Sequence, residues 1–145
     1  MLSIAFVAIL ALAATTACKK QVVVAPSAED YAENISNKAE EINKECPREV
    51  ENGKTLLSVT FDDNTLLYRL SVTDEEHEYV KKNFNATRDS LTRCTTDNLK
   101  EQLIAGKCSM EYRYIAPNDS TPITITPEEL EKSDSEGDDD NDDDE

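Results

Sequence analysis

Four cysteines are the residues of this chain best suited to chemistry, and Cys18 is the most informative of them. It follows an uncharged apolar run over residues 4–14 and a short spacer of small residues. The run has the length of a signal-peptide core and is about half as long as a helix that spans a bilayer. We therefore predict that Cys18 is the lipidated first residue of an exported bacterial lipoprotein, anchored in the membrane by several acyl chains.

An ordinary secretory signal is the alternative, because two features depart from the usual lipoprotein signal. The first three residues carry no basic side chain, and Thr15 stands where leucine is usual. Cleavage after Ala17 would use Thr15 and Ala17 as the required small residues and would release a soluble protein with four cysteines. We favour lipidation because two lysines and a short linker follow Cys18 at once, as expected of a tether.

The other three cysteines are disulfide candidates. Cys46 ends one apolar helical stripe, Cys94 ends a second, and Cys108 opens the core face of a strand, so all three are predicted to point inward. Inward thiols of exported proteins usually oxidise, and with Cys18 acylated we expect one disulfide and one buried thiol. A helix of about ten residues separates Cys94 from Cys108 by roughly 15 Å, against the ~7 Å between Cα atoms that a disulfide tolerates. A bend after Gly106 would remove that objection. We favour the pair Cys46–Cys94, which would tie the ends of two helices by a long loop.

Other catalytic and ligand-binding constellations are missing from the sequence. The sole histidine, His77, is predicted to lie exposed in the first turn of a helix, and no Gly-x-Ser-x-Gly turn presents a serine. The adjacent acids Asp62 and Asp63 are better explained as turn formers than as an acid–base pair. Without a Cys-x-x-Cys pair, three cysteines make a poor metal site. We expect no enzyme activity, no metal and no cofactor.

Three tyrosines have two explanations. Tyr68, Tyr112 and Tyr114 alternate with other residues in predicted strands, so they would share one face of a sheet. They would line a ligand groove or pack in the core with their hydroxyls at the sheet edge. We favour core packing.

The elements that position these residues follow from the hydrophobic periods. A helix is predicted from the cap Ser27 and Asp30 to Cys46, then a β-hairpin with Leu57, Val59 and Phe61 on one face of its first strand and a turn at residues 62–64.

A second helix, from residue 74 to Cys94, is predicted to be the longest element, and a third, capped by Thr95 or Thr96, ends at Gly106 in a left-handed cap. Two further strands cover residues 108–114 and 123–125. The fold class is α+β, in the order α-β-β-α-α-β-β, with an antiparallel four-stranded sheet and helices packed on one face.

The charge of the chain limits its partners. The formal net charge is −16, and no cluster of basic residues opposes it, so nucleic acid is excluded as a partner. Residues 133–145 are acidic and devoid of apolar side chains, which predicts disorder. The domains are therefore a signal peptide (1–17), a lipid-anchored linker (18–26), a small α+β domain (27–132) and a disordered acidic tail (133–145).

Several short segments resemble a known group of proteins. They are residues 43–47 with Cys46, the hairpin pair Leu67-Tyr68, Cys94, and residues 103–106 leading into Tyr112-Arg113-Tyr114. These segments are similar to a family of small exported bacterial proteins and lipoproteins of uncharacterised function, with features of Bacteroidetes lipoproteins. The resemblance implies an exported protein and brings no catalytic or binding residue.

Two functional hypotheses of different class follow. The first is a non-catalytic binding or accessory module of the cell envelope, held at the bacterial outer membrane by Cys18 on the periplasmic or surface side. Its sheet edge or open face would contact an envelope protein, as in a small chaperone or a pilotin-like assembly factor. The alternative is a surface lipoprotein whose acidic tail binds divalent cations or acts as a spacer.

Overall fold

A computed structural model describes residues 24–51 and 53–135. The predicted signal peptide, Cys18 and most of the linker lie outside the described residues. Along the chain the elements are α1 (Ala28–Asn43), β1 (Arg48–Glu51), β2 (Lys54–Asp62), β3 (Thr65–Ser71), α2 (Asp74–Lys82), α3 (Phe84–Cys94), α4 (Asp97–Ala105), β4 (Ser109–Ile115), β5 (Ser120–Ile125) and α5 (Pro127–Ser135).

The α+β class is confirmed, but the sheet differs from the expected one in two respects. It has five strands in the order β1-β2-β3-β4-β5, because the short, exposed strand β1 pairs with β2. In addition, β3 and β4 are parallel while the other pairs are antiparallel. The three helices between β3 and β4 carry the chain back to the start of β3, where Thr65 pairs with Ser109. Such a crossover is what a parallel pair requires.

One face of the sheet forms the core and carries the helices. Leu66, Met110 and Ile125 are neighbours in register on that face, and each is at most 3% exposed. Helix α1 packs against β2 and β3, whereas α2 and α3 pack against β5. The opposite face, which holds the exposed Arg69 and Thr124, is open to solvent and is called the open face below.

The hairpin of β2 and β3 is confirmed, although its first strand contains a bulge. Asp63 and Asn64 have positive φ of 47° and 52°, as a two-residue type I′ turn requires. The pairing shifts between Leu56 and Ser58, so Leu57 is an extra residue. As a result Leu56 is buried and Leu57 is 39% exposed, contrary to the predicted inward position of Leu57.

The prediction of one long helix from residue 74 to Cys94 is wrong, because this segment forms two helices that meet at Asn83. The backbone of Asn83 has φ −114° and ψ 35°, outside the helical region. The backbone N–H of Asn83 and its side-chain Nδ2 both donate to the carbonyl oxygen of Tyr79, at 3.0 and 2.9 Å, which closes the last turn of α2. Among the described helices the longest is instead α1, which begins with the predicted capping box of Ser27 and Asp30.

Hydrogen bonds from Ser27 hold the pKa of the Asp30 carboxyl below its usual value. They combine with the dipole of α1 to favour a carboxylate at this position.

A fifth helix, α5, was not predicted. Thr126 and Glu129 form reciprocal hydrogen bonds at its start, with distances of 2.9 and 3.3 Å, and Pro127 occupies its first turn. Leu130 is fully buried, and the Lys100 ammonium meets Asp134 at 3.1 Å. Residues 133–135 therefore belong to the domain and not to the tail, whose remainder lies outside the described residues.

Gly106 ends α4, but not in the predicted left-handed conformation. Its φ is −80°, and the following residue, Lys107, has the positive φ of 53°. Glycine is required here by close packing. A Cβ at this position would lie 2.9 Å from the carbonyl oxygen of Gln102 and 3.2 Å from both Cys108 Sγ and Tyr31 Cβ.

Gly106→Ala is expected to lower the free energy of unfolding by about 1–3 kcal/mol, because the methyl group would be too close to the backbone of Gln102 and tight against Cys108 and Tyr31, so the last turn of α4 must shift. Urea denaturation measures the effect. The matched control is Lys107→Gly at the next position, where glycine relieves a left-handed backbone and is expected to be neutral or stabilising. Equal stability of Gly106→Ala and the unsubstituted protein would contradict this packing argument.

Candidate functional site

The structure gives the three described cysteines different environments. Cys108 is fully buried, and its thiol contacts the carbonyl oxygen of Gly106 at 3.3 Å. Cys46 is half-buried, with its thiol 3.5 Å from the carbonyl oxygen of Ile42, and Cys94 is exposed. Burial raises the pKa of the Cys108 thiol. All three are free thiols here, so the favoured Cys46–Cys94 disulfide is not formed in the described structure and stays a prediction.

The inward orientation predicted for Cys94 is wrong. The prediction extended one helical period from residue 74 to Cys94, but the break at Asn83 changes the phase of the helix that follows. Thr92 is the buried residue of α3, and Cys94 at the helix end faces solvent.

His77 is buried, contrary to the exposed position predicted for it. It is 3% exposed, and its Nε2 lies 2.8 Å from Thr121 Oγ1. The first turn of α2 packs on β5, which covers the imidazole. Within residues 24–51 and 53–135, no group of three histidine, cysteine or acidic side chains could hold a metal ion. The His77 hydrogen bond therefore links α2 to the sheet.

The tyrosines pack in the core, and one of them also lines a groove. Tyr68 and Tyr112, neighbours in register on β3 and β4, stack with ring centroids 4.8 Å apart and an interplanar angle of 9°. Tyr114 is 5% exposed. Burial raises the pKa of Tyr112 strongly, and burial together with the charge of Glu76 raises the pKa of Tyr114 to about 12.

An apolar groove lies between α1, the first half of α4 and strand β3. We call it the α1–α4 groove; its volume is about 410 Å³. Its lining residues come from these three elements and from the cap of α4: Ile35, Lys38, Ala39, Ile42, Leu66, Tyr68, Thr96, Asn98, Leu99 and Gln102. Most of this surface is aliphatic or aromatic, and the sole charged lining side chain is that of Lys38.

Local sequence explains how the groove is built. Ile35, Ala39 and Ile42 recur at helical spacing, so they form one stripe of α1, and the small Ala39 leaves space above the sheet. Thr96 caps α4 by accepting a hydrogen bond from the backbone N–H of Leu99 at 3.4 Å. Asn98 and Gln102 bond to each other one turn apart on the rim. The apolar stripe was predicted from the sequence, but the space between two non-adjacent helices was not.

The sequence matches none of the protein families compared with it, and no curated protein is similar to it in sequence. Solved structures, in contrast, share the fold. A protein of Pseudomonas aeruginosa described as a candidate secreted protein superposes with a TM-score of 0.60 at 18% identity, over 74% of this chain and 99% of its own. A pilotin of the type 2 secretion system of Vibrio vulnificus superposes with a TM-score of 0.56 at 13% identity.

The chain has the fold of both proteins. The match to the pilotin covers 70% of this chain and 93% of the pilotin chain, so the common part is nearly the whole of either neighbour. The mixed sheet with its helical layer is thus an architecture that occurs in at least two exported or secretion-linked proteins. None of the helices described for this chain is both long and apolar enough to cross a bilayer.

The free thiols predict a large contrast in reactivity, measured on a Cys18→Ala chain with a thiol-specific chromogenic reagent. Cys94 is expected to react at once because it is exposed, and Cys108 at least a hundredfold more slowly because its thiolate is disfavoured by burial. Cys94→Ser should remove the fast phase. A missing fast phase together with a mass two hydrogens below that of the reduced chain would instead establish a disulfide at Cys94.

The raised pKa of Tyr114 predicts that the folded protein loses stability at high pH. Its pKa is about 12 in the folded protein and about 10 in an unfolded chain, so its contribution is complete below pH 10 and is lost as the pH rises to 12. Urea denaturation between pH 8 and 12 should show that Tyr114→Phe loses up to ~2 kcal/mol less than the unsubstituted protein. The matched control is Tyr79→Phe at a position that is 60% exposed. An identical pH profile for Tyr114→Phe and the parent would contradict the prediction.

Proposed function

We propose that the protein is a non-catalytic accessory lipoprotein of the bacterial envelope, tethered by Cys18, which binds an apolar segment of an envelope protein in the α1–α4 groove. The single observation that carries the proposal is that apolar groove with its polar rim. The fold shared with a secretion-system pilotin and with a candidate secreted protein supports an envelope role.

The chemistry of the groove favours binding over catalysis. Its lining side chains include neither a carboxylate nor an imidazole nor a thiol, which are common general bases of enzymes. His77 lies elsewhere, against β5, and is bonded to Thr121. Apolar walls with a few convergent polar groups are typical of a binding site in which the polar groups fix orientation.

The lining residues define the partner segment. Leu66, Leu99 and Ile42 offer aliphatic contacts, and each apolar side chain that a partner buries contributes about 1.5–3 kcal/mol before the cost of association. Lys38 at the rim favours a carboxylate beside those apolar side chains. The occupant is therefore a segment with apolar residues on one side and an acidic residue next to them.

The tether would increase the effect of this binding. An acylated Cys18 confines the domain to the membrane surface, and two partners on one surface meet at a high effective concentration. A groove of modest affinity then suffices to hold an envelope protein at the membrane.

A photocrosslinking amino acid at position 38 tests the proposal in intact cells, with position 41 of the same helix as control. Both side chains are exposed, but position 41 is outside the groove. We expect the crosslink at position 38 to map to one apolar segment of a single envelope protein. A synthetic peptide of that segment should bind the purified protein and lose at least tenfold in affinity with Lys38→Glu but not with Lys44→Glu.

The same assay separates the groove from the acidic tail. A chain that ends at Ser135 keeps α5 and lacks residues 136–145, whereas removal from residue 133 onward would cut into that helix. The crosslink is expected to survive this truncation. Loss of the crosslink on truncation would overturn the groove and favour the tail as the working part, and equal crosslinking at positions 38 and 41 would also contradict the proposal.

A further inference from the structure

Two arginines stand side by side on the open face of the sheet. Arg69 of β3 and Arg113 of β4 are partners in the parallel pairing, so their backbones are separated by one strand spacing, about 4.8 Å. Both side chains project from the face opposite the core, because their neighbours Leu70 and Tyr114 are buried on the core face. The row continues with Ser58 beside Arg69 and Pro122 beside Arg113.

The charges of this row are not balanced within the described structure. Arg113 Nη2 meets Glu111 Oε2 at 2.7 Å, and that carboxylate side chain is 17% exposed. Among the described residues, no carboxylate comes within salt-bridge distance of Arg69. Like charges on paired strand positions destabilise a sheet. A chain with 31 acidic and 15 basic residues nevertheless places two guanidinium groups together here.

We propose that Arg69 and Arg113 form an anion site for a phosphoryl group. Glu111 fixes the Arg113 guanidinium and leaves some of its N–H groups available, while Arg69 offers all five of its own. A tetrahedral phosphoryl group presents several oxygens, so it can accept hydrogen bonds from both guanidinium groups at once. The site carries a local charge of one positive unit, and a monoanionic phosphoryl group neutralises it.

The surroundings of the pair fit such a group. Ser58 and Thr60 on β2 and Thr124 on β5 bring hydroxyl groups to the same face. No bulky side chain blocks the row at its ends, since Ser58 and Pro122 are small. The net charge of −16 repels anions at long range, but at physiological salt charges more than about 8 Å away are largely screened, so the local pair dominates.

The phosphoryl group has two possible sources, a free phosphate and the headgroup of a phospholipid. In either case the contacts are the same, because both present phosphate oxygens. This site is independent of the α1–α4 groove, since it lies on the opposite face of the sheet.

Arginine side-chain NMR tests the site on the full mature chain. The chain has five arginines, so Arg48, Arg88 and Arg93 serve as internal controls. Titration with inorganic phosphate at low ionic strength should shift the Nε–Hε signals of Arg69 and Arg113 together and saturably, at a midpoint at least tenfold below any other arginine. Arg69→Gln should raise the midpoint measured at Arg113 at least tenfold, and Arg93→Gln should leave it unchanged.

Three outcomes contradict the proposal. If all five arginine signals shift in parallel, the ion binding is nonspecific. If Arg69→Gln binds phosphate with unchanged affinity, Arg69 is not part of the site. If a glutamate peptide binds more tightly than phosphate, the ligand is a carboxylate. Arg69 is exposed, so Arg69→Gln is expected to fold, and its circular dichroism and unfolding midpoint without phosphate check this.

Vesicles distinguish the sources. Sedimentation with phosphatidylcholine vesicles and with vesicles that contain three-tenths phosphatidylglycerol uses a chain whose Cys18 is replaced by alanine. Binding that needs phosphatidylglycerol and falls at least fivefold with Arg69→Gln supports a lipid headgroup. Saturable phosphate binding without vesicle binding supports a free phosphate. If the protein binds neither phosphate nor vesicles, the anion site is wrong, and the proposal for the α1–α4 groove is unaffected.

Discussion

The parallel pairing of β3 with β4 is the constraint on which the rest of the structure depends. It joins residues more than forty positions apart in one register, with Leu66 beside Met110, Tyr68 beside Tyr112 and Arg69 beside Arg113. The backbone N–H of Ser109 donates to the carbonyl oxygen of Asn64 at 2.9 Å, which fixes that register at the start of the pair. Because side chains alternate between faces, this one register places the stacked Tyr68 and Tyr112 on the core face and the arginine pair on the open face.

Contacts of α4 with α1 and with α5 hold the helical layer together. Helix α4 ends at Gly106 close to Tyr31 of α1, so the two helices that line the α1–α4 groove are in direct contact. Helix α5 then covers α4 with Leu130, and Lys100 meets Asp134 across the same contact. The groove therefore lies between two helices that are distant in sequence and are brought together by the crossover.

Local features were predictable from the sequence, and non-local ones were not. The capping box of Ser27 and Asp30 and the turn at Asp63 and Asn64 each depend on side chains within a few residues, so their sequence signals are complete. The bulge at Leu57 depends instead on the register of a paired strand, and apolar alternation alone placed that residue on the wrong face.

The parallel pair and the groove likewise need information on how separate segments meet. The helix break is an intermediate case. Asn83 is visible in the sequence, but an asparagine side chain either points to solvent or bonds to the nearby backbone, and here it bonds to the carbonyl oxygen of Tyr79. Helix α5 was missed although its Thr-Pro-Glu-Glu start carries a complete capping signal. Thr126 and Glu129 have the same spacing as Ser27 and Asp30, so this signal is as complete as the one at the start of α1.

The basic residues differ in how far their charges are paired within the described structure. Exposed pairs such as Lys81 with Glu78 contribute little to stability because solvent screens them. Lys100 differs, because its side chain is 10% exposed and loss of Asp134 would leave a poorly solvated cation. Lys38 and Arg69 have neither kind of partner among the described residues, yet each lies beside apolar or hydroxyl-bearing surface on a different face. Lys44, Lys82 and Lys107 also lack a salt bridge among the described residues, so the two proposals rest on where Lys38 and Arg69 lie and not on their missing partners.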